Sequence, residues 1–442
     1  MGRTVSYAPG YAPEDDGHDP LSDEYETTER TYLHFDRPLD EAARCGIRLT
    51  EKTVLANPFW PLLAFSKVER RVKRDKKSGA VHFKEKVREI KFCSHQDAAL
   101  LERYTSWLAL KYERYLSGRP FGGSILAYRR GVGSNILQAK SLFDEIRSRR
   151  EVTALALDIS GFFDNIRHSV LLENLKTLLN VDRLSAADYK VFRRLTRFEW
   201  VEATAIEERL KGRPRARGRI CDAYQFRKFI RRPGESLVKV NCCYYGIPQG
   251  TPLSGLYANI SLLDIDRRLH EHFDAIGATY RRYSDDIAIV LPEHLNAADE
   301  IDTVRTHLAE VGLSLSEAKT EVSRFTSSSG QLTSDKPLQY LGFTFDGQRI
   351  LIRQSSLNRY YSKMKSGVLS KILAAHRNNV AASEIYMREL YRKYTHFGKH
   401  RNFPRYAYRA ARDMSAPEIR AQISNHFEVF KEIVRMTVQA VY

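Results

Sequence analysis

The stretch "RRYSDDIAIV" (281–290) constrains this chain more than any other, because it sets two adjacent acids, Asp285 and Asp286, between apolar, strand-like runs. An acid pair at a turn is ordinary. A buried acid pair is costly unless a cation or a partner meets it. The segment "ALALD" poses the same question, since an apolar run there ends on Asp158. If the two strands are neighbours in one sheet, three carboxylates converge at its edge, and like charges at that range repel strongly. Two Mg2+ ions held about 3.5–4 Å apart resolve the repulsion, activating a 3′-hydroxyl and stabilising a leaving pyrophosphate. Mg2+ suits such a site because it prefers one or two carboxylates plus substrate phosphates; Mn2+ is the expected substitute.

The rest of the chain supplies a setting for that chemistry. With 442 residues, 43% of them hydrophobic, it can bury a core divided over two or three subdomains. Its formal charge of +17 favours a polyanionic partner, most simply nucleic acid, over a merely soluble basic surface. Residues 1–40 run against that trend, with ten acids against three arginines, so that the remainder carries +24. This Pro/Gly-rich start reads as a poorly ordered tail, with docking on the basic body as the alternative. The five cysteines, Cys45, Cys93, Cys221, Cys242 and Cys243, form no C-x-x-C pair and suit a reducing cytoplasm. No apolar signal region and no run of about 18 apolar residues is present, so a cytoplasmic protein without membrane spans is expected.

Periodicity places the motifs on elements. Residues 41–150 are mostly helical, with a clear helical pattern over 97–116 and two strands around a Lys-rich turn over 67–91. A buried strand leads into a helix over 152–179. Residues 207–232, holding "KGRPRARGR", read as an exposed basic loop and not as a core element. A Gly/Pro turn precedes one long helix over 242–269, and a helix is expected at about 297–312. "LQYLGFTFDGQRI" (338–350) reads as a β-hairpin around its "DG". The last ninety residues or so are helical and basic.

Five motifs now stand in order: "DISGFFDNIRH", "GIPQGTPLSGLYANI", "YSDD", "LSLSEAKTEV" and "YLGF". Together they resemble the reverse transcriptases: the first-aspartate motif, the Pro-Gln-Gly turn with its helix, the Tyr-x-Asp-Asp signature, a following lysine motif and the primer-grip hairpin. The resemblance covers about residues 85–345. It implies an α+β right-hand polymerase, with fingers to residue 150, a palm with an antiparallel sheet over 151–345 and a helical thumb over 346–442.

The resemblance also implies roles. Asp158, Asp285 and Asp286 would be the catalytic metal ligands, with the carbonyl of Ile159 added. Phe163 matches the steric-gate aromatic that excludes a ribose 2′-hydroxyl, which argues against an RNA polymerase; a plain core Phe beside Phe162 is the alternative. Gln249 would lie over the incoming nucleotide, with Gly250 letting the backbone approach closely. Arg129 and Arg130, backed by Arg88 and Lys91, would grip the triphosphate, and Lys319 matches a lysine that protonates the pyrophosphate. Arg213, Arg215, Arg217 and Arg219 of the basic loop, and Arg388, Arg392, Lys393, Lys399, Arg401 and Arg405 of the thumb, would track phosphates. Tyr391, Tyr394, Phe397 and Phe403 interleave with the thumb cations, some stacking on bases and many forming core.

Departures narrow the branch. The chain lacks the Val-Thr-Gly and Asn-Ala-x-x-His motifs of the retron type, and has "LSGL" where the diversity-generating type has Ser-Gln. Only about ninety residues follow "LGF", too few for the appended domains of an intron maturase. What remains resembles the compact, defence-associated "unknown group" of bacterial reverse transcriptases, which copy a structured noncoding RNA into cDNA in antiphage immunity. A maturase of a mobile element and a polymerase fold kept only to bind RNA are the competing readings. Priming from an RNA hydroxyl is expected over priming from a tyrosine such as Tyr442.

Overall fold

The computed structural model describes residues 30, 32–74, 81–213, 217–397 and 402–442. Its strands, in chain order, are β1 (Leu62–Arg74), β2 (Val81–Phe92), β3 (Val152–Asp158), β4 (Glu199–Glu202), β5 (Lys239–Val240), β6 (Thr279–Tyr283), β7 (Asp286–Pro292), β8 (Glu321–Ser328), β9 (Gln331–Ser334), β10 (Leu338–Tyr340), β11 (Phe343–Phe345) and β12 (Ile350–Ile352). With helices between and after them, this is an α+β fold. The chain forms two compact units, each assembled from separate stretches. One holds the described residues up to Arg129, with Ile159–Leu269 and Val304–Ser314. The other holds Arg130–Asp158, His270–Thr303 and Leu315–Tyr442.

The first unit is organised by the sheet β2-β1-β4-β5, in which β1 and β2 form the long hairpin expected for 67–91 and β4 joins β1 in parallel. The Lys-rich turn between them lies outside the described residues. One face of the sheet packs on Phe35, Ile206, Cys221, Phe226 and Ile230. Two expectations change here. The flanks of the basic segment 207–232 are core, because Cys221 and Ile230 are fully buried and Phe226 nearly so. Residues 32–37 are packed instead of loose: Phe35 is buried against Trp60 and Phe226, and the Tyr32 hydroxyl donates to the Cys93 carbonyl at 2.8 Å. The helix expected over 97–116 spans His95–Leu116, and Ser94 caps it by accepting from the Asp97 N–H. The helix expected over 242–269 is divided at Leu262 into Ser254–Ser261 and Leu263–Ala275.

The second unit holds the antiparallel sheet β6-β7-β3-β8-β9. Its central strands are buried on both faces: Ala154, Leu155 and Leu157 of β3 and Ile287–Leu291 of β7 are nearly inaccessible. That explains why both read as apolar runs without alternation. Strands β10, β11 and β12 form a separate meander. It differs from the single hairpin expected over 338–350. "YLGF" makes its own two-residue turn, with Leu341 and Gly342 both at positive φ, and "DG" starts the next turn, where Asp346 accepts from the Gln348 and Arg349 N–H groups. The remaining helices, from Gln354 to Val441, close over Tyr360, Met364, Val368, Ile372 and Phe430. Among the described residues no helix is long and apolar enough to cross a membrane.

In the first unit His34 is fully buried, and burial depresses its imidazole from the usual 6.5 to about 3 although it contacts the Phe92 carbonyl. A depressed base favours the folded state only while neutral. Its contribution is complete above pH 6.5 and is lost as pH falls from there toward 3. Urea unfolding followed from pH 7.5 to 4.5 should therefore show stability dropping by up to about 1.4 kcal/mol per pH unit from this group. His34→Gln should flatten that limb; an unchanged slope would assign the acid sensitivity elsewhere.

Candidate active site

The carboxylates lie in the second unit, and strand pairing places them. β3 pairs with β7 antiparallel from Val152↔Pro292 to Asp158↔Asp286, so two of the three acids face each other at the last rung. β6 pairs with β7 up to Tyr283↔Asp286, leaving Ser284 and Asp285 as a two-residue hairpin loop. Ser284 has φ +61° and Asp285 does not share that sign, the pattern of a type II′ turn with serine where glycine is usual. The side chain of Arg282, fully buried, donates to the Ser284 carbonyl at 3.0 Å and braces this turn. Nothing in "RRYSDD" distinguished Arg282 from its neighbour Arg281, which instead pairs with Glu145 at 2.7 Å.

Electrostatics follow from the register. Burial, then Asp285, then Asp158 push the Asp286 carboxyl up to about 6, against the pull of Lys319 and Arg353. Lys319 sits on a short turn (Glu317–Lys319) tied to β3 by the Ser316 N–H, which donates to the Asp158 carbonyl at 2.8 Å. From there its ammonium reaches both carboxylate oxygens of Asp158. A cavity of about 80 Å³ lies against Asp286, bounded by Gln339–Gly342 and Arg353, so the "YLGF" turn borders the acids.

Among the described residues no three acidic, His or Cys side chains are gathered tightly enough to form a closed metal cage. The donor set nonetheless fits a divalent ion that keeps substrate ligands. Two facing carboxylates, one of them driven toward protonation by burial and by its neighbours, meet only part of their charge in Lys319 and Arg353, and Mg2+ asks for no more than one or two carboxylates from protein. Asp158 and Asp286 would hold the ion, with Asp285 at the turn beside them. A metal held there would supply positive charge for a hydroxyl nucleophile and a leaving phosphate group.

The first unit holds the residues expected to meet the nucleotide. Segments 163–168 and 244–247 are zipped together. The Ile247 N–H donates to the Phe163 carbonyl, the Gly246 N–H to the Ile166 carbonyl and the His168 N–H to the Tyr244 carbonyl, at 2.9–3.0 Å. Phe162 is buried and Phe163 half-buried, which makes Phe162 the core ring of the pair. The Gln249 amide bonds the Asp164 carboxylate; with Lys91 it offsets the desolvation that raises that acid. The Gln249 carbonyl accepts from the Lys91 N–H at 2.7 Å. Gly250, at φ +113°, allows this contact. A Cβ there would stand 2.8 Å from Ile90 and 3.0 Å from the Lys91 carbonyl. The close approach expected toward a nucleotide is thus, within this unit, an approach to β2.

The cations differ in exposure and in the partners they meet. The Lys91 ammonium pairs with Glu89 at 2.7 Å and lies over the Trp200 ring, so what Lys91 offers the Gln249 turn is its backbone. Arg129 is a buried staple: its guanidinium bonds Glu113 at 2.7–3.2 Å and the carbonyls of Gly122 and Ile125. Arg129, expected at the triphosphate, is thus bonded within the protein in this structure. Arg130 is exposed, Arg88 half-buried, and the Ile159 side chain is buried. In the basic loop, Arg213 stacks over the Phe229 ring, Arg217 is exposed, Arg219 is half-buried, and Arg215 lies outside the described residues. Arg388, Arg392, Lys393 and Arg405 are exposed, whereas Lys399 and Arg401 lie outside the described residues. Tyr391 and Tyr394 are core, and Phe397 is 60% exposed. The Tyr442 hydroxyl donates to the Val380 carbonyl at 2.5 Å.

Residues 132–345 match the model of the family described as reverse transcriptase (RNA-dependent DNA polymerase). The chain carries a reverse transcriptase domain. All five strands of the carboxylate-bearing sheet fall inside the matched span. Among curated proteins none matches in sequence. Similar solved structures include apo telomerase from Candida tropicalis truncated from its C-terminal domain, at 11% identity over 66% of this chain and 57% of that one, TM-score 0.41. Telomerase from Candida albicans in complex with a fragment of telomeric RNA is similar at 14% identity over 85% and 58%, TM-score 0.40. The RNA-dependent RNA polymerase of a human picobirnavirus is similar at 14% identity over 65% and 44%, TM-score 0.38. This chain spans about half of the length of those proteins.

Gly250→Ala should strain the backbone by about 1–3 kcal/mol and displace Gln249. The expected readout in a reverse transcription assay is a raised KM for dNTP with the sheet intact by circular dichroism. An unaltered KM would detach the Gln249 turn from nucleotide binding.

Proposed function

We propose that this chain is an RNA-directed DNA polymerase that copies a structured noncoding RNA into cDNA from dNTPs, in the bacterial cytoplasm, as part of antiphage defence. The observation that carries the polymerase reading is the Asp158↔Asp286 rung, with Asp285 at the adjoining turn, inside the span that matches the reverse transcriptase family. Two Mg2+ ions, or Mn2+ in their place, are the cofactors this reading requires. Asp158, Asp285 and Asp286 hold them, with the Ile159 carbonyl completing the set. Lys319 stands on Asp158 and is placed to give a proton to the pyrophosphate as it departs. The cavity between Asp286 and the Leu341–Gly342 turn suits the 3′ end of a primer.

Selection of dNTPs falls to Phe163, five residues beyond Asp158 in the chain and half-buried where Phe162 is buried. Arg130 and Arg88 are the cations proposed for the triphosphate, with Gln249 over the base. RNA binding is supported by the net charge of +17 and by the exposed Arg217, Arg388, Arg392 and Lys393. The defence setting is supported by the absence of the retron and diversity-generating motifs from the chain. Priming by an RNA hydroxyl is favoured, since the Tyr442 hydroxyl is engaged by Val380.

Asp285→Ala and Asp286→Ala should each reduce dNTP incorporation to the level without enzyme while leaving RNA affinity within about twofold. Full polymerisation by either variant would remove the two-metal reading. In the same assay Phe163→Val should raise rNTP use relative to dNTP; a constant ratio would place the gate elsewhere, with Phe162 as the next candidate.

A further inference from the structure

The helices that follow β12 line an open surface cavity of about 650 Å³. It is within the size range of small-molecule sites. One wall is the helix Gln354–Arg377, which turns Ser356, Arg359, Tyr360 and Lys363 to the cavity at the i, i+3, i+4 and i+7 spacing of one helical face. The opposite wall is the helix Arg388–Tyr394, which brings Arg392 and Lys393.

These walls are held together by specific bonds. The Tyr360 hydroxyl donates to the Tyr394 carbonyl at 2.6 Å. The Asn402 side-chain amide donates to the carbonyls of Arg392 at 3.0 Å and Thr395 at 2.7 Å. Both tyrosine and asparagine thereby satisfy carbonyls that a helix end leaves open. The Tyr360 and Phe403 rings stack with centroids 4.6 Å apart and planes 21° from parallel. The floor is therefore aromatic and fixed.

The rim has the opposite character. Arg359, Lys363 and Arg392 are exposed, and among the described residues none of them has an ion-pair partner. With Lys393, four like charges line one cavity and repel each other, and an anion between them relieves that cost. Glu389 is the acid at the rim; Lys371 stands 3.9 Å away on the neighbouring helix.

An aromatic floor under a cationic rim is complementary to a flat heterocycle that carries a phosphate. We infer that this pocket binds one nucleotide, held as an unpaired residue of the RNA. Its base lies on the Tyr360–Phe403 floor, its phosphate sits between Arg359, Lys363 and Arg392, and Glu389 accepts from a base N–H. This assignment rests on the RNA-copying function proposed above, and adds a discrete nucleotide subsite outside the carboxylate sheet. The same chemistry would suit a free mononucleotide.

The test is photocrosslinking of the full chain with a short single-stranded RNA carrying 4-thiouridine and, in parallel, with 4-thiouridine monophosphate, each mapped by mass spectrometry. The expected result is RNA adducts on peptides containing Tyr360, Tyr394 or Phe403. Arg359→Ala/Lys363→Ala/Arg392→Ala should cut their yield about tenfold, in line with one lost stacked base and its phosphate. Ser356→Trp fills the cavity while keeping every charge, and should cut it as far. Cooperative melting establishes that both variants are folded. If Ser356→Trp labels like the parent while the triple variant does not, the surface is only a charged track and the pocket is refuted. RNA adducts confined to other parts of the chain would also refute it, without touching the polymerase reading, which Asp286→Ala tests separately. Labelling by the monophosphate but not by RNA would overturn the RNA assignment.

Discussion

Two carboxylates that repel each other are held face to face by strands that gain nothing from the acids themselves. Leu155 opposite Ile289 and Leu157 opposite Ile287 bury apolar surface on both sides of the pair, and that burial fixes the register. At about 25 cal/mol per Å² of apolar area, a few such rungs outweigh the Coulomb cost of one raised carboxyl. A slip of one residue would carry Asp158 to the other face of the sheet and bury the wrong side chains. The acids are therefore poised by the core behind them. Burial first, and then the charges of Asp285 and Asp158, raise Asp286, and a cation at the site would relieve both costs. Lys319, tied to Asp158 through the Ser316 N–H, offsets part of that charge from within the protein.

The first unit obeys a similar logic with backbone in place of charge. Gln249 is aimed by three constraints: its carbonyl on the Lys91 N–H, its amide on Asp164, and a glycine behind it that only fits because it has no side chain. Lys91 and Arg129, both expected near the nucleotide, each pair with a glutamate of the protein. A cation half enclosed by protein is usually paired there, and both find a glutamate within 2.7 Å. Phe163, by contrast, is half-buried beside the buried Phe162, so part of its ring faces outward.

Much of this was legible in the residues. Strands β3 and β7 announced themselves as apolar runs ending or beginning on aspartate, and the order of motifs carried the family. The misreadings share a cause, which is averaging over windows. The acidic start hid Tyr32, His34 and Phe35, three rings that dock on the first unit although their neighbours are charged. The arginines of 211–219 hid the apolar Cys221, Phe226 and Ile230 that follow. The "DG" signal was real but masked a tighter turn at Leu341–Gly342, because Leu is not a residue expected at positive φ. Arg282 could not be singled out at all: only its burial against the Ser284 carbonyl separates it from Arg281.

The proposed polymerase activity requires the β3–β7 rung to hold divalent metal for nucleotidyl transfer. Electron paramagnetic resonance of Mn2+ with a non-hydrolysable dNTP analogue tests it most directly. The parent should bind about two mutually broadened Mn2+ ions per chain, and Asp158→Asn should lose both the coupling and the tight binding. Tight, coupled Mn2+ in an Asp158→Asn/Asp286→Asn double variant, or no bound Mn2+ in the parent, would contradict that requirement.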